Sequence, residues 1–238
     1  MKKLFFKIIN FFYPITCSVC GDDLYFLSQT KICDKCANSF PLIKDLVCQK
    51  CGLPLYDGGE HCYVCKKHPK EYSFDKMRSV YLYKDSLRSL ILKFKYSNRS
   101  FLAKDFSLSM YKAMELYNFY DDVDFIIPVP LNIIRKIKRG YNQAELLANE
   151  ISLKTNIFVL TNVLFRKKIT KPQFKLSKSE RVANIKDSFF VKNNNIIRSK
   201  TILLIDDIAT TLVTVSACSL ALKISGAKTV YVLTLARD

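Results

Sequence analysis

Eight of the nine cysteines fall between positions 17 and 65, and all eight are arranged in C-x-x-C pairs. The pairs are Cys17/Cys20, Cys33/Cys36, Cys48/Cys51 and Cys62/Cys65. A two-residue gap lets both thiolates of a tight turn point at one cation, and two such turns complete the four-sulfur shell that suits Zn²⁺. Disulfides are the weaker interpretation, because no secretion signal accompanies these regular pairs. The spacing therefore predicts two structural zinc ions.

The four pairs also form a repeat. Cys20-Gly21 recurs 31 residues later as Cys51-Gly52, and a plain C-x-x-C pair follows each of them. One unit used twice predicts sequential pairing, in which the first two pairs hold one zinc and the last two pairs hold the other. A cross-braced arrangement, first pair with third and second with fourth, is the alternative. We expect Gly21 and Gly52 to have positive φ, because the chain turns sharply after the second ligand.

A second group of reactive side chains lies at residues 201–214. The apolar run Thr201–Ile205 indicates a buried strand that ends in Asp206 and Asp207, and a threonine-rich loop then leads into a helix. Ligands of α/β sheets bind beyond the carboxyl ends of strands, and a helix N-terminus offers free N–H groups to a phosphate. Two adjacent carboxylates can accept ribose hydroxyls or join a Mg²⁺ shell. These residues predict a site for a phosphorylated sugar; the alternative is that Asp207 only caps the helix.

Strands alternate with helices after about residue 73, which predicts a mostly parallel sheet covered on both faces. The predicted strands are Met77–Tyr83, Asp124–Val129, Thr201–Ile205 and Thr229–Leu235. The predicted helices are Leu87–Phe94, Leu102–Leu116, Asn142–Lys154 and Val213–Ile224. The chain therefore divides into a zinc module with an N-terminal segment at residues 1–70 and an α/β domain at residues 71–238.

The net charge is +17, of which +14 falls on residues 73–238. A basic surface attracts phosphate, whether on a polynucleotide or on a sugar phosphate, although a general bias towards lysine explains the charge equally well. In a test of binding to single-stranded DNA, the first cluster to neutralise is Lys167, Lys168 and Lys171. No run reaches the ~18 apolar residues of a membrane helix, and a cytoplasmic location is expected. The amphipathic start of the chain leaves peripheral membrane contact as an alternative.

Residues 201–214 resemble the phosphoribosyl diphosphate (PRPP) signature of type I phosphoribosyltransferases: a strand, two acids, a variable pair, Thr-Thr, Gly, a small residue and Thr. Over nearly its full length the chain resembles the ComF family of competence proteins, which join a double zinc ribbon to a phosphoribosyltransferase-like domain. Four further stretches carry this resemblance: Pro128–Leu131, Arg139–Ala144, Leu164–Gln173 and Ser179–Asn184.

The resemblance implies a role for each matching residue. Asp206 and Asp207 would hold the ribose hydroxyls, directly or through Mg²⁺. The 5-phosphate would contact Thr210, Thr211 and Thr214. The pyrophosphate would border the strand end at Pro128 and Val129, and Arg139 and Arg166 would supply cations for phosphate oxygens. The implied function is that of a competence protein that handles incoming single-stranded DNA, with a competence helicase or other uptake machinery as partner. The alternative is an active Mg²⁺-dependent phosphoribosyltransferase that transfers to an unknown acceptor.

One residue departs from the signature. Leu212 stands where the family has glycine, and Val213 stands where it has a small residue. A left-handed conformation costs leucine about 1–2 kcal/mol. Either the loop relaxes into another shape, or the leucine side chain fills the phosphate pocket and phosphate affinity is lost. The departure therefore predicts weak PRPP binding, which favours the non-enzymatic function over the transferase.

Overall fold

The computed structural model describes residues 15–25, 28–44, 46–118, 122–167 and 188–238. The N-terminal amphipathic segment, Lys168, Lys171, Gln173 and the Ser179–Asn184 stretch lie outside these residues. The elements are, in chain order, α1 (Asp34–Asn38), α2 (Tyr63–Lys67), β1 (Lys76–Leu82), α3 (Asp85–Tyr96), α4 (Leu102–Leu116), β2 (Phe125–Pro128), α5 (Ile133–Arg139), α6 (Gln143–Thr155), β3 (Phe158–Val159), β4 (Leu164–Arg166), β5 (Phe189–Val191), β6 (Thr201–Ala209), α7 (Val213–Ile224) and β7 (Thr229–Arg237). Within the described ranges, no helix has both the length and the apolar character needed to cross a membrane.

Five strands form the main sheet, in the order β1-β7-β6-β2-β3. Each neighbouring pair in this sheet is parallel. β6 and β7 lie in its interior and are mostly apolar, as expected for strands that are buried on both faces. The predicted mostly parallel sheet is confirmed, and β4 and β5 form a separate antiparallel pair beside it.

Helices cover both faces of the sheet. On one face α3, α4 and α6 bury Leu90, Phe106 and Leu147 against alternate residues of β6 and β7. On the other face α7 buries Leu222 against the intervening residues of the same strands, such as Val232. Successive strand residues point to opposite faces, so each central strand contributes to two hydrophobic clusters.

Three features depart from the prediction. β6 runs to Ala209, beyond the predicted end at Ile205, because its pairing with β7 continues to Arg237. α5 was not predicted, because it buries none of its side chains and therefore has no core-facing apolar stripe. The short strands β3, β4 and β5 were also missed, because two or three residues carry too little periodicity to be recognised.

The cysteine-rich part of the chain covers the open edge of β1. The N–H of Met77 donates to the carbonyl of Lys50 at 2.7 Å, and the N–H of Ile43 donates to the carbonyl of Val80 at 2.9 Å. An edge strand otherwise leaves such backbone groups unpaired and open to another chain. Both hydrophobic clusters contain buried cysteines of the zinc module together with residues of the sheet. The division at residue 70 stays a prediction, and the two parts share one packed interior.

Candidate functional site

The eight paired cysteines form two clusters. The Sγ atoms within each cluster lie within 4.8 Å of one another, and the members are Cys17, Cys20, Cys33 and Cys36 in the first and Cys48, Cys51, Cys62 and Cys65 in the second. Sequential pairing is therefore confirmed, and the cross-braced alternative is wrong. The Cys20–Cys33 and Cys51–Cys62 sulfurs are 3.8 and 3.7 Å apart. Sulfurs placed ~2.3 Å from one zinc ion stand about 3.8 Å apart in a tetrahedron, so the spacing fits Zn²⁺.

The two clusters are built alike, as the repeat predicted. Each first turn lies between the two sides of an isolated antiparallel bridge, Thr16–Asp23 in one unit and Val47–Pro54 in the other. Gly21 and Gly52 have φ of 83° and 69°, which confirms the expected positive values. A Cβ on Gly52 would stand 2.6 Å from the carbonyl oxygen of Met77. Glycine is therefore required there both for the turn and for its close approach to β1.

The surroundings of the sulfurs suit thiolates bound to a cation. Burial alone would raise the pKa of Cys17, but N–H donors from neighbouring residues, including Cys33 at 3.3 Å, outweigh it and lower the pKa to about 6. Burial and the adjacent thiols Cys33 and Cys20 raise the pKa of Cys36 to about 12. Four clustered sulfurs cannot all ionise without a compensating positive charge, which a bound zinc ion supplies. We conclude that zinc holds both clusters structurally.

The second cluster is tied to the sheet by two buried arginines. Arg78 of β1 donates to the carbonyls of Cys48 and Gln49, at 3.3 and 3.0 Å. Arg237 of β7 donates to the carbonyl of Cys51 at 2.7 Å. These bonds hold the first turn of the cluster against the α/β domain, so loss of the metal would disturb the sheet as well as the zinc module.

A cavity of about 340 Å³ lies at the carboxyl end of the parallel sheet. β6 continues beyond β2, whose last paired residue is Pro128, opposite Ile205. The next two residues of β6, Asp206 and Asp207, therefore have no neighbour in β2, and both line the cavity. Val129, which directly follows β2, also lines the cavity. The fold thus places the acid pair where ligands of α/β sheets bind.

The two acids have different surroundings. Asp207 Oδ1 lies 3.0 Å from Lys95 Nζ at the end of α3, and both side chains are mostly buried. The N–H of Asp207 donates to Asp206 Oδ1 at 2.8 Å. Burial and the negative charge of Asp207 raise the pKa of Asp206 to about 7. Lys95 therefore neutralises Asp207, and the carboxylate oxygens of the pair can accept hydrogen bonds from hydroxyl groups of a ligand.

Leu212 keeps the backbone shape that the signature assigns to glycine. Its φ is 57° and its ψ is −2°, in the left-handed region, immediately before α7. Its side chain is 5% exposed and packs in the core with Ala209 and Val215, and it is not among the residues that line the cavity. The alternative in which this side chain fills the pocket is therefore wrong. The strain of the left-handed leucine is offset by burial of its side chain in the core.

Cationic side chains also line the cavity. Arg139 donates to the hydroxyl of Tyr96 at 2.9 Å and stacks over its ring at 4.7 Å. Arg139 also donates to Gln143 Oε1 at 2.9 Å. Arg166 lines the same cavity, and burial lowers its pKa. Guanidinium groups fixed in this way are suited to phosphate oxygens.

A larger cavity of about 700 Å³ adjoins the first. The two share the side chains of Pro130, Leu131, Asn142 and Arg166. The larger one is also lined by Pro128 and by apolar residues of α5 and β4. A second molecule could therefore lie next to a ligand in the smaller cavity.

Comparison with known proteins agrees with these features. Residues 8–66 match the double zinc ribbon domain model. The chain is 32% identical over 233 residues to Competence protein F of Haemophilus influenzae, and the match covers 95% of this chain and 98% of that protein. The chain belongs to the ComF family. It is also 30% identical over 229 residues to the DNA utilization protein YhgH of Shigella flexneri, covering 94% and 97% of the two chains.

Among solved structures, this ComF protein resembles the glutamine PRPP amidotransferase of B. subtilis complexed with ADP and GMP. The TM-score is 0.42 and the sequence identity is 16%, over 60% of this chain and 30% of that one.

The ComF cavity brings together most of the residues that the signature singles out. Those that line it are Val129, Arg139, Arg166, Asp206, Asp207, Thr210 and Thr214. Pro128 lines the adjoining cavity instead, and Thr211 is exposed and lines neither of the two. The roles of these residues in binding stay predictions.

Sequence reasoning missed several polar residues of the cavity, among them Lys95 and Gln143. Lys95 looks like an ordinary cation near the end of a helix, and nothing in the sequence links it to Asp207. Gln143 falls within the Arg139–Ala144 stretch that supported the resemblance, so a signal for it was present. Tyr141 of the same stretch is a packing residue, because it is partly buried against Phe94.

Proposed function

We propose that this ComF protein handles incoming single-stranded DNA during natural transformation and that its cavity binds a PRPP-type ligand. The names of its relatives support a role in competence and DNA utilization. One observation supports the proposed ligand most directly: an acid pair, two threonines and three arginines line one cavity at the carboxyl end of the sheet. A competence helicase or other uptake machinery is the proposed partner, and the cytoplasm is the proposed location.

The ligand would lie across the end of β6. The acid pair would accept hydrogen bonds from the ribose hydroxyls. The backbone of the Thr210–Thr214 loop and the start of α7 would hold the 5-phosphate, since a helix N-terminus favours an anion. Arg139 and Arg166 would receive the diphosphate. Mg²⁺ carried by the diphosphate would add positive charge there, while Lys95 already neutralises Asp207.

Single-stranded DNA would bind to the basic surface beside the cavity. Helix α5 buries none of its side chains, and its sequence carries four cations interleaved with three isoleucines. The three isoleucines are 53–77% exposed. Cations can contact phosphates and the apolar side chains can contact bases, a combination common in single-strand binding.

The DNA proposal is tested by the salt dependence of oligonucleotide binding. Affinity should fall steeply with salt, and replacing Arg135 and Lys138 with alanine should reduce the log–log slope by roughly 1–2, because two phosphate contacts are lost. The matched control replaces the exposed Lys66 and Lys67 of α2, which removes the same charge from the zinc module. Equal effects of both double variants would mean that only net charge matters, and absence of binding at low salt would refute DNA handling.

The larger cavity favours a second candidate function, transfer of the phosphoribosyl group to an acceptor. It adjoins the proposed PRPP site, so an acceptor could approach the ribose from that side. Acceptor-dependent release of pyrophosphate from PRPP would support this activity. Tight PRPP binding without release, across nucleobase, amine and nucleotide acceptors, would leave the site as a binding site only.

A further inference from the structure

The side-chain amide of Gln143 has a buried donor without a partner. Gln143 is the first residue of α6, is 1% exposed and lines the smaller cavity. Its Oε1 accepts a hydrogen bond from Arg139. Across the described part of the chain, its Nε2 has no hydrogen-bond partner. Native proteins rarely leave a buried amide donor unpaired, so such a group in a cavity indicates an acceptor on a ligand.

The orientation of this amide is fixed by its neighbours. A guanidinium group has only donors, so the amide atom that faces Arg139 must be the oxygen. Arg139 is itself held by the hydroxyl and ring of Tyr96. Asn142, which precedes Gln143, donates from its side chain to the carbonyl of Val129 at 3.0 Å and so ties the start of α6 to the end of β2. The Nε2 group is therefore a donor held at a defined place.

The charges around the cavity indicate an anionic acceptor. Four cationic residues line it, and one of the two acids, Asp207, is already paired with Lys95. Arg166 resembles Gln143, because its buried Nε also has no hydrogen-bond partner among the described residues. Gln143 lies beside the end of β2, whereas the proposed 5-phosphate loop follows β6. If the ribose hydroxyls lie on the acid pair and the 5-phosphate lies at that loop, C1 of the ribose is directed towards Gln143.

We propose that Gln143 Nε2 donates to a diphosphate oxygen on C1 of the bound phosphoribosyl ligand. This inference rests on the proposed PRPP-type site. It adds the side chain by which the site would distinguish a phosphoribosyl diphosphate from a sugar monophosphate. Gln143 contacts the diphosphate directly and also orients Arg139 beside it. Ribose 5-phosphate, which lacks the diphosphate, gains nothing from Gln143.

The test is calorimetric titration of the full-length zinc-loaded protein with PRPP and, separately, with ribose 5-phosphate. Gln143→Met removes the donor and the bond to Arg139, while Gln143→Glu keeps an acceptor for Arg139 but removes the donor. Both variants should bind PRPP roughly 10- to 100-fold more weakly, which is the range for a lost hydrogen bond to a charged group. Affinity for ribose 5-phosphate should change much less. Exposed Gln29→Met is the matched control and should change neither affinity.

The outcomes separate this inference from the function on which it rests. Wild-type binding of PRPP that survives Gln143→Glu and Gln143→Met would overturn the role of Gln143 and leave the site standing. Equal loss of both ligands would also overturn it, because Gln143 would then only maintain the shape of the cavity. Failure of the wild type to bind either ligand would instead refute the proposed site. If Gln143→Met does not fold, Gln143→Glu carries the test.

Discussion

Replacing Leu212 tests how the protein keeps a glycine-like turn without glycine. Leu212 has a left-handed backbone, which costs about 1–2 kcal/mol, and a buried side chain. Leu212→Ala should keep most of the strain and lose the side chain, for a cost of about 2–5 kcal/mol. Leu212→Gly loses the same side chain but relieves the strain, and only about 0.4–1 kcal/mol is lost to the greater freedom of the unfolded chain. We therefore expect the Leu212→Gly variant to be more stable than the Leu212→Ala variant by about 1 kcal/mol.

Urea unfolding of the zinc-loaded wild type and both variants measures this difference. Glycine less stable than alanine would refute the reasoning, because the turn would then carry no strain. PRPP titration of the same variants is the companion assay. Because the left-handed turn is already formed and the leucine side chain lies in the core, Leu212→Gly should leave PRPP affinity nearly unchanged. A large gain would mean that leucine obstructs the phosphate after all.

Three further predictions concern the metal centres and the acid pair. Cys48→Ser should lower the zinc content from two ions to one and destabilise the α/β domain as well, because structural zinc supplies about 10–16 kcal/mol of folding free energy in finger peptides. Elemental analysis measures the zinc content and urea unfolding measures the stability. An unchanged zinc content would contradict the prediction. Lys95→Met should lower the free energy of unfolding by about 3 kcal/mol, because Asp207 loses its buried partner. In thermal unfolding, millimolar Mg²⁺ should restore part of this stability in the variant and should not stabilise the wild type. Asp206 binds its proton more tightly in the folded state, so wild-type stability should fall as pH rises from about 4 to about 7. Asp206→Asn should therefore stabilise the protein more at about pH 8 than at about pH 5.5, and a pH-independent effect would refute the raised pKa.

The sequence predicted those parts of the fold that leave a strong local signal. Val213–Ile224 was predicted with the observed bounds, because its apolar residues follow the helical period and Gly226 lies just beyond it. The zinc clusters followed from cysteine spacing alone. Helix α5 left no such signal, because its isoleucines are exposed and no core selects their spacing.

The site was predictable only where one segment carries it. Asp206 and Asp207 follow an apolar run, and their placement at the cavity was expected. Their position inside β6 was not, because it depends on how far β7 extends alongside. The pairing of Lys95 with Asp207 joins residues far apart in the chain, which no local pattern encodes. The side-chain direction of Leu212 was misjudged because it depends on the core beneath the loop.

Calorimetric titration of PRPP into the zinc-loaded protein, with and without Mg²⁺, tests the proposed site most directly. We expect saturable binding with one ligand per chain. We expect the binding to weaken in Asp207→Asn, because a neutral amide replaces a carboxylate that accepts ribose hydroxyls. Because Lys95 already neutralises Asp207, binding should persist without Mg²⁺. Absence of saturable binding under both conditions would contradict the proposal that this cavity holds a phosphoribosyl ligand.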